Sequence, residues 1–132
     1  MDWGDLEVAP PFLTYTEGVT VCRDQLRCEV RYVGTPAHTT NDSVVWVPGR
    51  KVLFAGDLLF NGGTPFLVMG SLAGALEAVE ALRDYGAETI VPGHGPVAGP
   101  GLIEDVLRYL RFVQRLARRP RPARPTSGSS PT

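Results

Sequence analysis

The chain contains two histidines, His38 and His94, and each directly follows a run of strand-forming residues, as does the carboxylate Asp57 between them. The three are 19 and 37 positions apart. Loops at strand ends are where α/β proteins bring polar groups together, so side chains this distant in sequence can share one site. Two imidazoles and a carboxylate make a hydrolytic zinc set, because neutral nitrogen and anionic oxygen suit Zn²⁺ and three protein ligands leave a position for water. Taken singly, each histidine also reads as a surface or hydrogen-bonded loop residue, and spacing alone does not separate the two readings.

The elements that must position these residues are legible in outline. From Leu26 to Val33 the residues alternate, with Leu26, Cys28, Val30 and Tyr32 on one side and Arg27, Glu29 and Arg31 on the other. This predicts a half-buried strand whose apolar side meets the core, with Thr20 to Cys22 paired to its start. Ser43-Val44-Val45-Trp46-Val47 and Lys51-Val52-Leu53-Phe54-Ala55 flank Pro48-Gly49, whose fixed and positive φ values suit a tight turn. The pair reads as a hairpin buried on both faces. Ser71 can cap a helix whose Leu72, Leu76, Val79 and Leu82 share one stripe, and Gly86 closes it. Thr89-Ile90-Val91 is a short strand and Pro92-Gly93-His94-Gly95-Pro96 a loop. A second helix runs from about 102 to 117, with Leu102, Val106, Leu110 and Val113 inward.

Composition bounds the class. At 132 residues, with 43% apolar and 20% charged side chains, the chain is one small domain and not a multidomain enzyme. No apolar run approaches the ~20 residues of a membrane-spanning helix, and the start, Met1-Asp2-Trp3-Gly4-Asp5, lacks a signal-peptide layout. A cytoplasmic location is expected, in which Cys22 and Cys28 remain thiols that pack and do not pair. The net charge of −1 conceals an asymmetry: residues 1 to 107 carry six basic and fourteen acidic groups, residues 108 to 132 seven arginines and no acid. Arg108, Arg111, Arg115 and Arg118 recur at helical spacing as a solvated stripe. Aromatics do not interleave with the arginines after Phe112, so neither nucleic acid nor membrane is an expected partner. Beyond Arg119 the Pro, Ser and Gly content predicts a disordered tail, residues 119–132.

Three segments, Gly34-Thr35-Pro36-Ala37-His38-Thr39-Thr40-Asn41-Asp42, Val52-Leu53-Phe54-Ala55-Gly56-Asp57-Leu58-Leu59-Phe60 and Ile90-Val91-Pro92-Gly93-His94-Gly95-Pro96, resemble in order and spacing three successive motifs of the metallo-β-lactamase superfamily. The resemblance covers about residues 5 to 117. It implies an α/β fold, the C-terminal half of an αβ/βα sandwich with a mixed sheet and two main helices, and a partial domain over 1–118. It further implies that His38 ligates a first zinc, Asp57 bridges both metals and acts in catalysis, and His94 ligates the second. The implied reaction is hydrolysis of an ester, thioester or amide, with hydroxide as nucleophile. Asn61 to Ser71 is most similar to the cyclases and thioesterases of aromatic polyketide biosynthesis within that superfamily, which implies that Phe66, Leu67 and Met69 line an apolar substrate pocket; burial in the core is the alternative for these three.

The family's His-x-His-x-Asp-His cluster is absent from this sequence, which leaves each metal with two protein ligands. A complementary N-terminal half, or a homodimer, is therefore expected as partner, beside the small-molecule substrate. The same absence predicts an uncovered apolar sheet face, assigned to Val44, Trp46, Leu53 or neighbours of like parity. A non-catalytic, vestigial or regulatory half-domain that binds a partner protein is the alternative function. Near the site, Asp42 either orients the His38 imidazole from behind or caps its loop as an Asx-type turn. Gly56 is expected to permit close backbone approach beside the metal, an ordinary strand-end glycine being the alternative.

Overall fold

The computed structural model describes residues 4, 7, 9 to 67 and 69 to 118. The expected disordered tail, 119–132, lies outside the described residues. The elements follow in the order β1 (Gly18–Arg23), β2 (Leu26–Tyr32), β3 (Ser43–Val47), β4 (Val52–Phe60), α1 (Leu72–Ala81), β5 (Thr89–His94) and α2 (Gly101–Ala117). The strands form a five-stranded mixed sheet in sequence order, antiparallel from β1 to β4 and parallel between β4 and β5. Parallel neighbours cannot be joined by a tight turn, and α1 makes the crossover. This is the expected α/β class.

Local chemistry sets most boundaries. The Ser71 hydroxyl accepts the Gly74 N–H at 2.9 Å and starts α1. A 3-10 extension, Leu82–Tyr85, ends at Gly86, whose φ of 61° is the left-handed conformation glycine adopts without strain. In the turn between β3 and β4, the positive φ falls on Lys51 (51°) and not on Gly49, because Pro48–Arg50 forms a 3-10 turn and the Lys51 N–H bonds back to the Pro48 carbonyl. The predicted loop at 92–96 is also corrected: β5 continues through Pro92 and Gly93 to His94. Pro92 is tolerated because the β4–β5 register shifts on both sides of the Gly56–Pro92 pairing.

Both helices pack on one face of the sheet. Val44, Leu53, Ala55 and Ile90 meet Ala78, Val79, Leu82, Val106 and Leu107 there, all buried. Arg83 reaches Glu104 with two bonds, at 2.7 and 2.8 Å, and Arg111 pairs with Glu80, so charged pairs join the α1 side to α2 outside this core. Arg108, Arg111, Arg115 and Arg118 are exposed, as a solvated stripe requires.

The opposite face is left open by the described residues. The register aligns Val30 with Val45, Val45 with Phe54, and Phe54 with Val91, so these apolar side chains share a face, and Phe54 is 45% exposed. Three expectations change. The β3–β4 hairpin is fully covered on the helix side, whereas on its other face Val47 is buried but Val45 is only half-buried and Phe54 exposed, so the uncovered face belongs to Val45 and Phe54 and not to Val44, Trp46 and Leu53, which face the helices. Leu26, Cys28, Val30 and Tyr32 likewise point to the open face and not into the helix-covered core, while Arg27, Glu29 and Arg31 form an ion-paired row on the helix side. No helix among the described residues is long and apolar enough to cross a membrane.

Candidate functional site

His38 sits in the loop between β2 and β3. The Asp42 carboxylate accepts the His38 N–H at 2.8 Å, the Thr39 N–H at 2.9 Å and the Thr39 hydroxyl at 2.8 Å, and so folds 38–42 into an Asx-type loop. Asp42 thus holds the backbone beside His38; the imidazole is oriented by another group. Its Nδ1 bonds to the Phe66 carbonyl, which can only accept, so Nδ1 carries the proton and a neutral ring presents a bare lone pair at Nε2. That Nε2 stands 3.4 Å from Asp57 Oδ2. The Met69 N–H also bonds to the His38 carbonyl, at 3.2 Å, so Met69 as well as Phe66 is tied to this histidine.

Asp57 follows Gly56 in the irregular part of β4. Gly56 has a φ of 53°, a left-handed kink that glycine adopts without strain, with nothing within 4 Å of where its own Cβ would stand, although its carbonyl carbon lies 2.7 Å from a Cβ placed on Gly93. The close approach belongs to Gly93 on β5, where an added Cβ would lie 2.0 Å from Asp57 Oδ1. His94, the last residue of β5, is 62% exposed, and its ring stacks on Phe60 at 4.6 Å between centroids with 16° between planes. Asn61 clamps the same corner: its N–H bonds to the His94 carbonyl at 2.9 Å and its side-chain amide to the Pro96 carbonyl at 2.8 Å. His94 Nε2 stands 3.4 Å from Asp57 Oδ1. One carboxylate therefore presents one oxygen to each of two imidazoles.

A family model described as the metallo-beta-lactamase superfamily matches residues 9–94. The chain belongs to the metallo-β-lactamase superfamily. It is 31% identical over 89 residues to a beta-lactamase-like protein 2 homolog of Caenorhabditis elegans, covering 67% of this chain and 29% of that protein. It is 32% identical over 98 residues to a metallo-beta-lactamase type 2 of Bacteroides fragilis, covering 68% and 38%. A hydroxyacylglutathione hydrolase of Rhodospirillum rubrum is 35% identical over 78 residues, 59% of this chain and 30% of that one. Among solved structures, a metallo-beta-lactamase from Pontibacter korlensis superposes with a TM-score of 0.70 at 28% identity, covering 78% of this chain and half of the other. The chain thus spans well under half the length of these curated relatives.

Metallo-β-lactamase superfamily members bind metal through donors of the type found here, and the spacing can be tested against such an ion. Two donors on a tetrahedral zinc, with bonds of about 2.0–2.1 Å, lie about 3.3–3.4 Å apart; each Nε2–Asp57 separation is 3.4 Å. A bare lone pair facing a carboxylate oxygen also calls for a proton or a cation between them. The donors thus fit zinc in kind and spacing but not in number: each imidazole shares only Asp57, and no group of three or more His, Cys, Asp or Glu side chains among the described residues could hold a metal ion by itself. Cys22 and Cys28 lie away from the site on β1 and β2.

Of the expected pocket residues, Phe66 is 64% and Met69 65% exposed, Phe66 with its ring 6.4 Å from that of His38, while Leu67 is half-buried against the core. Two depressions lie nearby, of about 400 Å³ beside Tyr15, Tyr32 and Ser43 and about 190 Å³ between Phe60, Pro65 and Tyr109; none of the three site residues lines either one. Gly93, Phe60 and Asn61 are the participants sequence reasoning missed. Phe60 and Asn61 stand three and four residues after Asp57, close enough to have been weighed as supports for a ligand on the adjacent strand.

Proposed function

We propose that this chain carries half of the active site of a metal-dependent hydrolase acting on an ester or thioester. The observation that supports this reading above others is the Asp57 carboxylate with an imidazole Nε2 at each oxygen. His38 and Asp57 would hold one zinc, Asp57 and His94 a second. When bound, zinc lowers the pKa of water to about 7 and polarises a substrate carbonyl. The protein's own residues do the positioning: the Phe66 carbonyl sets the His38 tautomer, Asp42 fixes the His38 loop, and Phe60 and Asn61 hold His94. The remaining ligands come from a complementary N-terminal half bearing His-x-His-x-Asp-His, which covers the open apolar face as it completes the metal shell.

A finer reading follows from the exposed side chains beside His38. Phe66 and Met69, with Leu67 behind them, would form an apolar wall for an acyl chain, which suits a cyclase or thioesterase of aromatic polyketide biosynthesis releasing product from a carrier thioester in the cytoplasm. A relative named as a hydrolase of hydroxyacylglutathione supports acyl chemistry in general and not this substrate in particular.

Zinc calorimetry on the chain, with and without a polypeptide carrying the complementary half, tests the proposal alongside a thioester hydrolysis assay. Weak binding by the chain alone, lost in His38→Ala with His94→Ala, together with tighter binding and hydrolysis on adding the half, is expected. Tight binding that survives the double substitution refutes the site. Association with the half without hydrolysis moves the function to a non-catalytic half-domain that binds a partner protein.

A further inference from the structure

β1 is the outermost strand of the sheet, and its outer edge, unpaired among the described residues, carries an internal symmetry. The Tyr32 N–H bonds to the Glu17 carbonyl, and the register runs from Gly18–Arg31 to Arg23–Leu26. Bonded and non-bonded pairs alternate along an antiparallel ladder. Val19, Val21 and Arg23 therefore direct their backbone groups toward β2, while Gly18, Thr20 and Cys22 direct theirs outward. These three outward residues are symmetric about Thr20. An identical strand laid antiparallel with the two Thr20 residues opposite each other meets every outward N–H and C=O with a partner: Thr20 with Thr20, Gly18 with Cys22, Cys22 with Gly18.

The side chains share that symmetry. Glu17 and Arg23 lie three residues to either side of Thr20, both exposed and neither with an ion-pair partner among the described residues. In the self-paired strand Glu17 faces Arg23 of the second copy, twice across the two-fold axis, and Val19 faces Val21 between them. These are non-hydrogen-bonded pairs, in which side chains approach most closely. The strand, Gly-Val-Thr-Val-Cys-Arg, also lacks the proline, lysine or bulge that commonly protects an edge.

We infer that the β1 edge is a self-association surface, through which two copies of this chain join into one continuous ten-stranded sheet centred on Thr20. The pairing leaves the open apolar face of each copy free for a complementary half, so it stands independently of the proposed hydrolase. It would also extend that face across both copies, since Val19 and Val21 lie on the same side as Val30.

Sedimentation velocity on the full chain at micromolar concentration tests this, with circular dichroism confirming the fold of each variant. A dimer is expected. Glu17→Arg or Arg23→Glu alone should weaken it about tenfold or more, because each reversal acts at two cross-strand contacts, and the two together should restore it. Thr20→Pro should give a folded monomer, since the lost N–H points outward; should that variant not fold, the charge exchange decides the matter. A monomer throughout overturns the inference. So does a dimer that ignores both reversals but is broken by Phe54→Lys, which would place the contact on the open face.

Discussion

Gly93 approaches Asp57 so closely that a Cβ at position 93 would stand 2.0 Å from the carboxylate Oδ1 and 2.8 Å from the Asp57 nitrogen. Backbone as well as side chain is within reach, so rotation of the carboxylate cannot relieve the contact. Gly93→Ala is expected to spread β4 from β5 at the site, at the roughly 1–3 kcal/mol typical of overpacking. Thermal melting reads the loss, and calorimetry reads a weaker zinc interaction than that of the parent chain.

Asp42 stabilises the site through backbone. Its replacement by alanine removes the acceptor of the His38 and Thr39 N–H groups, both part-buried, and should cost about 1–3 kcal/mol. Asp42→Asn keeps one acceptor oxygen and should recover part of the loss. Chemical denaturation of the three chains orders them; equal stability of the alanine variant and the parent would contradict the loop's dependence on this carboxylate.

Neighbouring positions on β4 should respond very unequally to truncation. Leu53 is fully buried against the helices and Phe54 is 45% exposed on the other face. Leu53→Ala should cost about 2–5 kcal/mol, or about 8 °C or more in melting temperature. Phe54→Ala should cost about 1 kcal/mol and reduce binding of a hydrophobic dye.

The bond from Arg83 holds the Glu104 carboxyl below the ordinary glutamate value, with Arg83, Arg111 and Arg108 adding favourable charge. A carboxyl whose folded pKa is lowered stabilises the fold above its unfolded pKa and loses that contribution as pH falls through the folded value. Glu104→Gln should therefore melt below the parent at pH 7, by a small margin because the pair is exposed. The difference should shrink as pH drops below about 4.3. A margin that persists in acid would assign the effect to shape and not to charge.

Which parts of this molecule could be read from sequence follows from the range of the forces involved. Ser71 and Gly86 were legible as caps because capping is settled within four residues. His38, Asp57 and His94 were singled out by the three motifs around them and not by strand ends, since His38 lies in a loop six residues after β2 and Asp57 lies inside β4. The alternation of Leu26 to Tyr32 identified an apolar side but not the layer it meets, since a period of two is the same whether helices or another sheet provide cover. Gly93 was unreadable for a related reason: its constraint comes from Asp57, 36 positions away on a neighbouring strand. At Lys51, local competition decided the outcome, with Pro48 starting a 3-10 turn that carried the left-handed residue two positions past Gly49.

The parallel pairing of β4 with β5 also orders events in time. The β1–β2 and β3–β4 hairpins close over two and four residues, and such closures take about 1–10 μs. Twenty-eight residues, α1 among them, separate the end of β4 from the start of β5, and non-local pairing of this kind is slow because the intervening chain must be ordered first. Asp57 and His94 stand on opposite sides of that late junction. Their encounter should therefore come late, and at the proposed site the rate at which the refolding chain regains zinc binding should track its slowest kinetic phase and not its earliest.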